Sequence, residues 1–463
     1  MLDRYCLQIL PKIGHKIKWL DLEPLSMQRI LLSVNYPNLF GFGIYNIEKQ
    51  AVLNLFNDKT SFIHKFKNDI LSFTIKTISI QQDTPIDLDT LMFTHIFNMF
   101  TNLKCLNFDP FFLCYQRISF CSSPPTVFSS ILLELYVKVM YVKDCLYLLD
   151  GRFNQLRTFC VDIAISSSSR SVVKINKEKL PNLRCFSLTC LLSIEFYDTV
   201  IIPLLHRMSN LERLSLYLSH VYRNRFLNGN DLKQNIIDYL PQLNKFRFNI
   251  RSTISLKDQI DVPSNEDIQY TFKDFLNNKI ISCVNYFLEN NQGQCHIYSY
   301  PYTMRRYENI ANNFPGGLFT CVYEVSLYDE HPFEHEFFIR IQKSFPFMKR
   351  LAIINKKAQK YKQRKKLKNI NQDLFVIKYS HLKRLILDEA HDDYVEQFLL
   401  DTKTCLPYGV DLYVDYKPLK RVTYNFKRNE TRINCSKVKY ICSDTDLRFP
   451  KHFKDYFLDI DVS

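Results

Sequence analysis

The sequence predicts an α/β fold of leucine-rich-repeat type: a solenoid with a curved parallel sheet on its concave side and helices on its convex side. Three observations predict it. A short apolar pattern, L-x-x-L-x-L, recurs along the 463 residues. Its copies are separated by segments with helical periodicity. Prolines stand at a fixed offset before several copies.

The plainest copies are Leu211, Leu214 and Leu216, and Leu183, Phe186 and Leu188. Others begin at Ile17, Leu103, Leu132, Leu156, Leu243 and Leu382, with looser ones at Leu39, Ile70, Val322, Met348 and Val438. The first nine starts, from 17 to 243, are about 28 residues apart on average, within the roughly 20–29 of leucine-rich repeats. The last two apolar positions are two apart, so both point to one face of a short strand. The first anchors the turn leading in. One such strand cannot bury its face alone; stacked strands share a continuous apolar core.

Segments between the copies read as helices. Tyr197–Met208, Asp231–Leu240 and Asp392–Leu400 carry apolar stripes, with acidic residues at the N-terminal end of the last. Pro37, Pro181, Pro241 and Pro346 each precede an anchor by two residues; proline cannot continue a helix and favours extended geometry before it. The expected organisation is an N-terminal cap helix over 1–16, a repeat array over 17–254, irregular repeats or an insert over 255–315, and a resumed array over 316–463. The insert contains one alternating strand candidate, Cys295–Tyr300.

Composition sets limits. Apolar residues make up 46% and charged residues 23%, which excludes a largely disordered chain. The chain has no signal-like opening and no apolar run long enough for a transmembrane helix, so an intracellular location, cytoplasmic or nuclear, with no membrane contact is expected. The fourteen cysteines include no C-x-x-C pair and read as small buried hydrophobes. The sequons at Asn429 and Asn434 read as chance matches.

Catalytic motifs are weak. His331-Pro332-Phe333-Glu334-His335 matches H-x-x-E-H, which needs both histidines on one helix; a helix N-terminus with acidic residues is the preferred reading. Gly41-Phe42-Gly43 lies in a predicted strand and lacks a third glycine and a helix. The expectation is a chain that is not an enzyme and takes no cofactor or metal.

Solvent-facing strand positions supply the candidate partner surface for a protein target. They are Glu134, Tyr136 and Lys138; Arg213, Ser215 and Tyr217; Lys245, Arg247 and Asn249; Glu324, Ser326 and Tyr328; and Arg384 and Asp388. Tyrosine and arginine are favoured interface anchors. The formal net charge is +14, and a basic loop at 356–368, KKAQKYKQRKKLK, holds eight cations: Lys356, Lys357, Lys360, Lys362, Arg364, Lys365, Lys366 and Lys368. Such a block is most simply a solvated loop; nuclear or nucleic-acid association through it is the alternative.

The chain resembles the leucine-rich-repeat region of F-box proteins. The segments that carry the resemblance are CLYLLDGRFNQL (145–156), PNLRCFSL (181–188), NFPGG (313–317) and HDDYVEQF (391–398). The resemblance implies a non-catalytic ubiquitin-ligase receptor whose repeats hold the target, while a preceding F-box binds a Skp1-type adaptor. Here only Met1 to Lys16 precede the first repeat and no L-P-x-E-I-L-x-x-I-F-like helix is found, so adaptor binding is not expected of these residues.

Overall fold

In the computed structural model, the described residues are 1–57, 62–78, 88–108, 117–120, 125–165, 176–257, 262–275, 279–360, 376–442, 450, 453–458 and 461–462. The protein is α/β, with large, mostly parallel sheets and helices. It divides into two compact units, Met1–Thr253 and Ile254–Ser463.

Among the described residues, the first unit is built on nine parallel strands that lie side by side in chain order: β1 (Trp19–Leu22), β2 (Gly41–Glu48), β3 (Ser72–Ile78), β4 (Cys105–Phe108), β5 (Glu134–Tyr141), β6 (Thr158–Ile165), β7 (Cys185–Ile194), β8 (Arg213–Tyr222) and β9 (Lys245–Ser255). Every one begins two residues after the apolar anchor read from the sequence. The backbone explains the offset. Most anchors close a tight turn on the carbonyl of the third residue before them, as in Leu183 N to Leu180 O at 3.3 Å and Leu211 N to Met208 O at 3.0 Å, while Leu132 N donates to the Ser129 hydroxyl at 3.1 Å instead. One carbonyl then accepts two successive amides of the next repeat. Arg157 O accepts Arg184 N and Cys185 N at 2.8 and 2.9 Å, and Arg184 O accepts Glu212 N and Arg213 N at 2.8 and 2.9 Å.

Register turns the repeat into two apolar rows. Leu20, Phe42, Phe73, Leu106, Leu135, Phe159, Phe186, Leu214 and Phe246 are successive partners across the sheet. Leu22, Ile44, Ile75, Phe108, Val137, Val161, Leu188, Leu216 and Phe248 form the second row. All are buried, and each contributes about 1.5–3 kcal/mol by leaving water. Phe42, Phe73 and Phe100 meet with centroids 5.1–5.8 Å apart.

Helical segments join the strands where the sequence places them. A π-helical turn, Tyr197–Ile201, runs into an α-helix, Ile202–Leu205. The α-helix Gly229–Asn235 is capped by Asn228 and followed by a 3-10 turn, Ile237–Tyr239. The first sixteen residues are helical almost throughout. The helix Val142–Leu148 carries a buried carboxylate, Asp144, which accepts Tyr141 N at 2.9 Å and Phe120 N at 3.2 Å.

In the second unit a short helix, Asn265–Tyr270, precedes an antiparallel hairpin, β10 (Lys279–Phe287) and β11 (Gln292–Tyr300). The sequence shows only Cys295–Tyr300 of it; β11 is buried along nearly its whole length, while β10 alternates. Then come β12 (Arg306–Ile310), β13 (Glu324–Tyr328), β14 (Arg350–Asn355), β15 (Ile377–Lys378), β16 (Arg384–Ala390), β17 (Thr404–Cys405), β18 (Val410–Tyr413), β19 (Val438–Cys442) and β20 (Asp461–Val462). β12, β13, β14, β16, β18, β19 and β20 form one parallel sheet in that order; β15 and β17 pair separately. A continuous core runs behind the large sheet, from Tyr307 and Phe319 through Phe338 and Tyr394 to Phe457. The helix Asp392–Leu399 stands where its acidic start predicts.

Candidate sheet-face binding site

The alternation of a half-buried strand decides which side chains are offered outward. On β5, Leu135, Val137 and Val139 are buried, so Glu134, Tyr136 and Lys138 share the other face. Pairing places Tyr136 between Asn107 and Cys160, and Lys138 beside Asp162. Asn107, Tyr136, Lys138, Cys160, Asp162 and Ser187 line a shallow depression on this face.

The depression is a polar network. Tyr136 donates its hydroxyl to Glu134 at 3.0 Å, and the Cys105 thiol faces the same carboxylate at 3.8 Å. Burial, reinforced by Glu134, holds the Tyr136 phenol protonated. Burial likewise pushes the Cys160 thiol up to about 12, so at neutral pH it is a small neutral group rather than a thiolate. Arg117 covers one side, with Nη1 2.9 Å from an Asp162 carboxylate oxygen and 3.0 Å from the Asp162 carbonyl. The sequence did not single out Arg117 or Asp162. Arg117 belongs to a short segment that bridges to β5 through Ile118 and Val139, a pairing no repeat pattern announces.

Further along, Arg213 and Ser215 of β8 and Lys245 and Arg247 of β9 lie on the same face and are exposed or half-buried. Tyr217 and Asn249 depart from the expected solvent-facing placement, being 6% and 5% exposed. The reason is strand length: β8 and β9 continue beyond the three-point repeat, past a bulge, to Val221–Ser252 and Tyr222–Thr253 pairs, and burial there becomes continuous.

In the second unit, Glu324, Ser326 and Tyr328 alternate with buried Val325 and Leu327. Ser326 accepts Asn309 N at 2.9 Å, and the Tyr328 ring packs on Phe287 with centroids 4.9 Å apart. Arg384 is exposed. Asp388 leaves the row, because β16 carries an extra residue there and Glu389 stands opposite Ile354. Register adds partners that local spacing cannot reveal. Arg306, Glu324, Arg350, Arg384 and Asp411 stand side by side. Arg306 and Arg350 reach Glu324 at 3.0 and 3.3 Å, and the Arg384 guanidinium lies 5.4 Å from the Tyr413 ring centre.

The basic stretch is described only at its start. Lys357 Nζ lies 2.6 Å from Glu289, Lys356 Nζ lies 3.6 Å from Glu389, and Lys360 N donates to Glu334 at 2.8 Å. Lys362, Arg364, Lys365, Lys366 and Lys368 lie outside the described residues.

The H-x-x-E-H residues do not share a helix. The helix His335–Ser344 starts three residues after Pro332, with Glu334 as its N-cap. His331 stays outside it, 3.3 Å from Asp329, while His335 faces Gln397 at 3.2 Å. Among the described residues no group of three metal-ligating side chains occurs, and no helix is long and apolar enough to cross a membrane. Asn434, the second sequon asparagine, is buried: its amide donates to Phe398 O and Thr404 O at 3.1 and 2.7 Å and accepts Leu406 N at 3.1 Å. No known family model and no curated protein matches this chain.

Proposed function

We propose that the chain is a non-catalytic, protein-binding scaffold of leucine-rich-repeat type, a curved solenoid that holds its target on the concave sheet face. In an intracellular setting it acts as the substrate-recognition part of an F-box-type ubiquitin-ligase receptor. The observation that carries this reading is that β4 to β9 start in register, which gathers side chains distant in sequence, from Glu134 to Arg247, onto one polar face. Such a face suits a protein partner.

The test is affinity purification of the tagged chain with quantitative mass spectrometry, comparing wild type with a Tyr136→Ala/Lys138→Glu variant whose circular dichroism is unchanged. The expected result is one or more proteins retained by wild type and lost by the variant. Identical protein profiles would overturn the reading. Retained nucleic acid that disappears on deleting 356–368 and falls steeply with salt would replace it with the nucleic-acid alternative. Fusing an F-box ahead of Met1 is expected to add a Skp1-type adaptor without removing the target.

A further inference from the structure

The cations on the face of the first unit are not evenly matched. Toward β4–β6 the charges are engaged, with Glu134 on Tyr136 and Asp162 on Arg117. At β8 and β9 they are not. Arg213 stands directly opposite Lys245, and Ser215 opposite Arg247. Like charges facing each other across neighbouring strands repel. Among the described residues none of the three makes an ion pair or side-chain hydrogen bond. The carboxylates at this end already serve other arginines: Glu212 with Arg184, Asp198 with Arg223, and Asp231 with Arg223 and Arg225. Glu134 is three strands from Arg213, about 14 Å at the usual strand spacing.

We propose that Arg213, Lys245 and Arg247 anchor an extended acidic segment of the protein bound on this face. The spacing selects its pattern. Lys245 and Arg247 are two residues apart on one strand, and residues i and i+2 of an extended peptide are separated by the same rise, about 6.8 Å. A peptide lying along β9 therefore sets alternate carboxylates over the two cations, while Arg213, one strand away, takes a carboxylate beside them. Ser215 offers a hydroxyl between the charges. A nucleic acid fits less well. Tyr217, the aromatic residue next to Arg213 and Ser215 on β8, is 6% exposed and presents no stacking surface beside the three cations.

This inference rests on the face being a protein-binding surface, so its test is separable from that of the reading above. The probes are a fluorescein-labelled Gly/Ser peptide carrying Glu-x-Glu-x-Glu, its uncharged parent, and a labelled oligothymidylate, measured by anisotropy with the full chain. The expected result is binding of the acidic peptide over its parent, weakened roughly tenfold or more in an Arg213→Ala/Lys245→Ala/Arg247→Ala variant. A control variant, Lys104→Ala/Arg157→Ala, removes exposed cations elsewhere and is expected to bind as wild type does. Equal binding of the acidic peptide and its parent, or equal loss in both variants, would overturn the proposal. So would tighter binding of the oligothymidylate through the same three residues. If proteins lost with Tyr136→Ala/Lys138→Glu survive the triple substitution, this inference fails alone; if neither variant changes what is retained, both fail.

Discussion

The side-chain amide of Asn210 donates to the main-chain oxygen of Pro181 at 2.9 Å. The donor directly precedes the anchor of its repeat, and the acceptor lies two residues before the anchor of the preceding one. Asn182 makes the same bond to Asn154 at 2.8 Å, Asn102 to Asn68 at 2.8 Å, and Asn38 to His15. Among the described residues, asparagine before the anchor thus ties one turn to the next at four places. Replacing Asn102 or Asn210 by alanine is expected to cost about 0.5–1.5 kcal/mol each. The two are far enough apart for their effects to add. Urea titration of both single variants and the double variant checks this.

Asn434 carries a heavier burden, since three of its backbone partners are buried with it. Asn434→Ala is expected to lose about 3 kcal/mol or more, because each stranded group costs about 1–3 kcal/mol. Asn429, exposed on the same helix, serves as control; Asn429→Ala should stay within about 0.5 kcal/mol. Thermal melts of the two variants distinguish the positions.

Burial raises the Asp144 carboxyl to about 6, against 3.8 for an ordinary aspartate, despite opposing bonds from Tyr141 and Phe120 amides. The folded chain therefore binds this proton more tightly than the unfolded chain. Its contribution is fully present below pH 3.8 and is lost as pH rises through about 6. Asp144→Asn is expected to flatten that part of the stability profile. Denaturant midpoints across the window, wild type against variant, check the sign.

Trp19 is the sole tryptophan, and its ring lies on Gly41. A methyl group there would sit 2.5 Å from the ring and 2.5 Å from the Ser72 carbonyl. The indole nitrogen also donates to Asp21 at 2.8 Å. Gly41→Ala is expected to displace the ring and cost about 1–3 kcal/mol, with a shift in intrinsic fluorescence as the direct readout.

Strand positions were legible where anchor, turn and apolar pair coincide, as at Leu183 and Leu211. They were illegible where one element is replaced. At β18 the anchor position is Gly409, with φ of 77° and no side chain to announce it. At β12 a bulge at Asn309, φ 49°, shifts the second apolar residue to Ile310. The copy at Val438 is marked in the sequence, but a register slip beside Val410 moves its strand onset onto the apolar residue itself, two residues earlier than elsewhere. The candidate face was legible as alternation. Its charge relationships, Arg306 with Glu324 or Arg213 against Lys245, were not, because they arise only when strands are set in register.

The shared carbonyls have a mechanical corollary. Each seam in the first unit joins a strand only to its immediate neighbours, so tension drawn in through Met1 loads those seams in succession. Pulled in an optical trap from Met1 against an attachment at Thr253, this unit is expected to yield in several small rips. One all-or-none rupture would show that neighbouring seams break together.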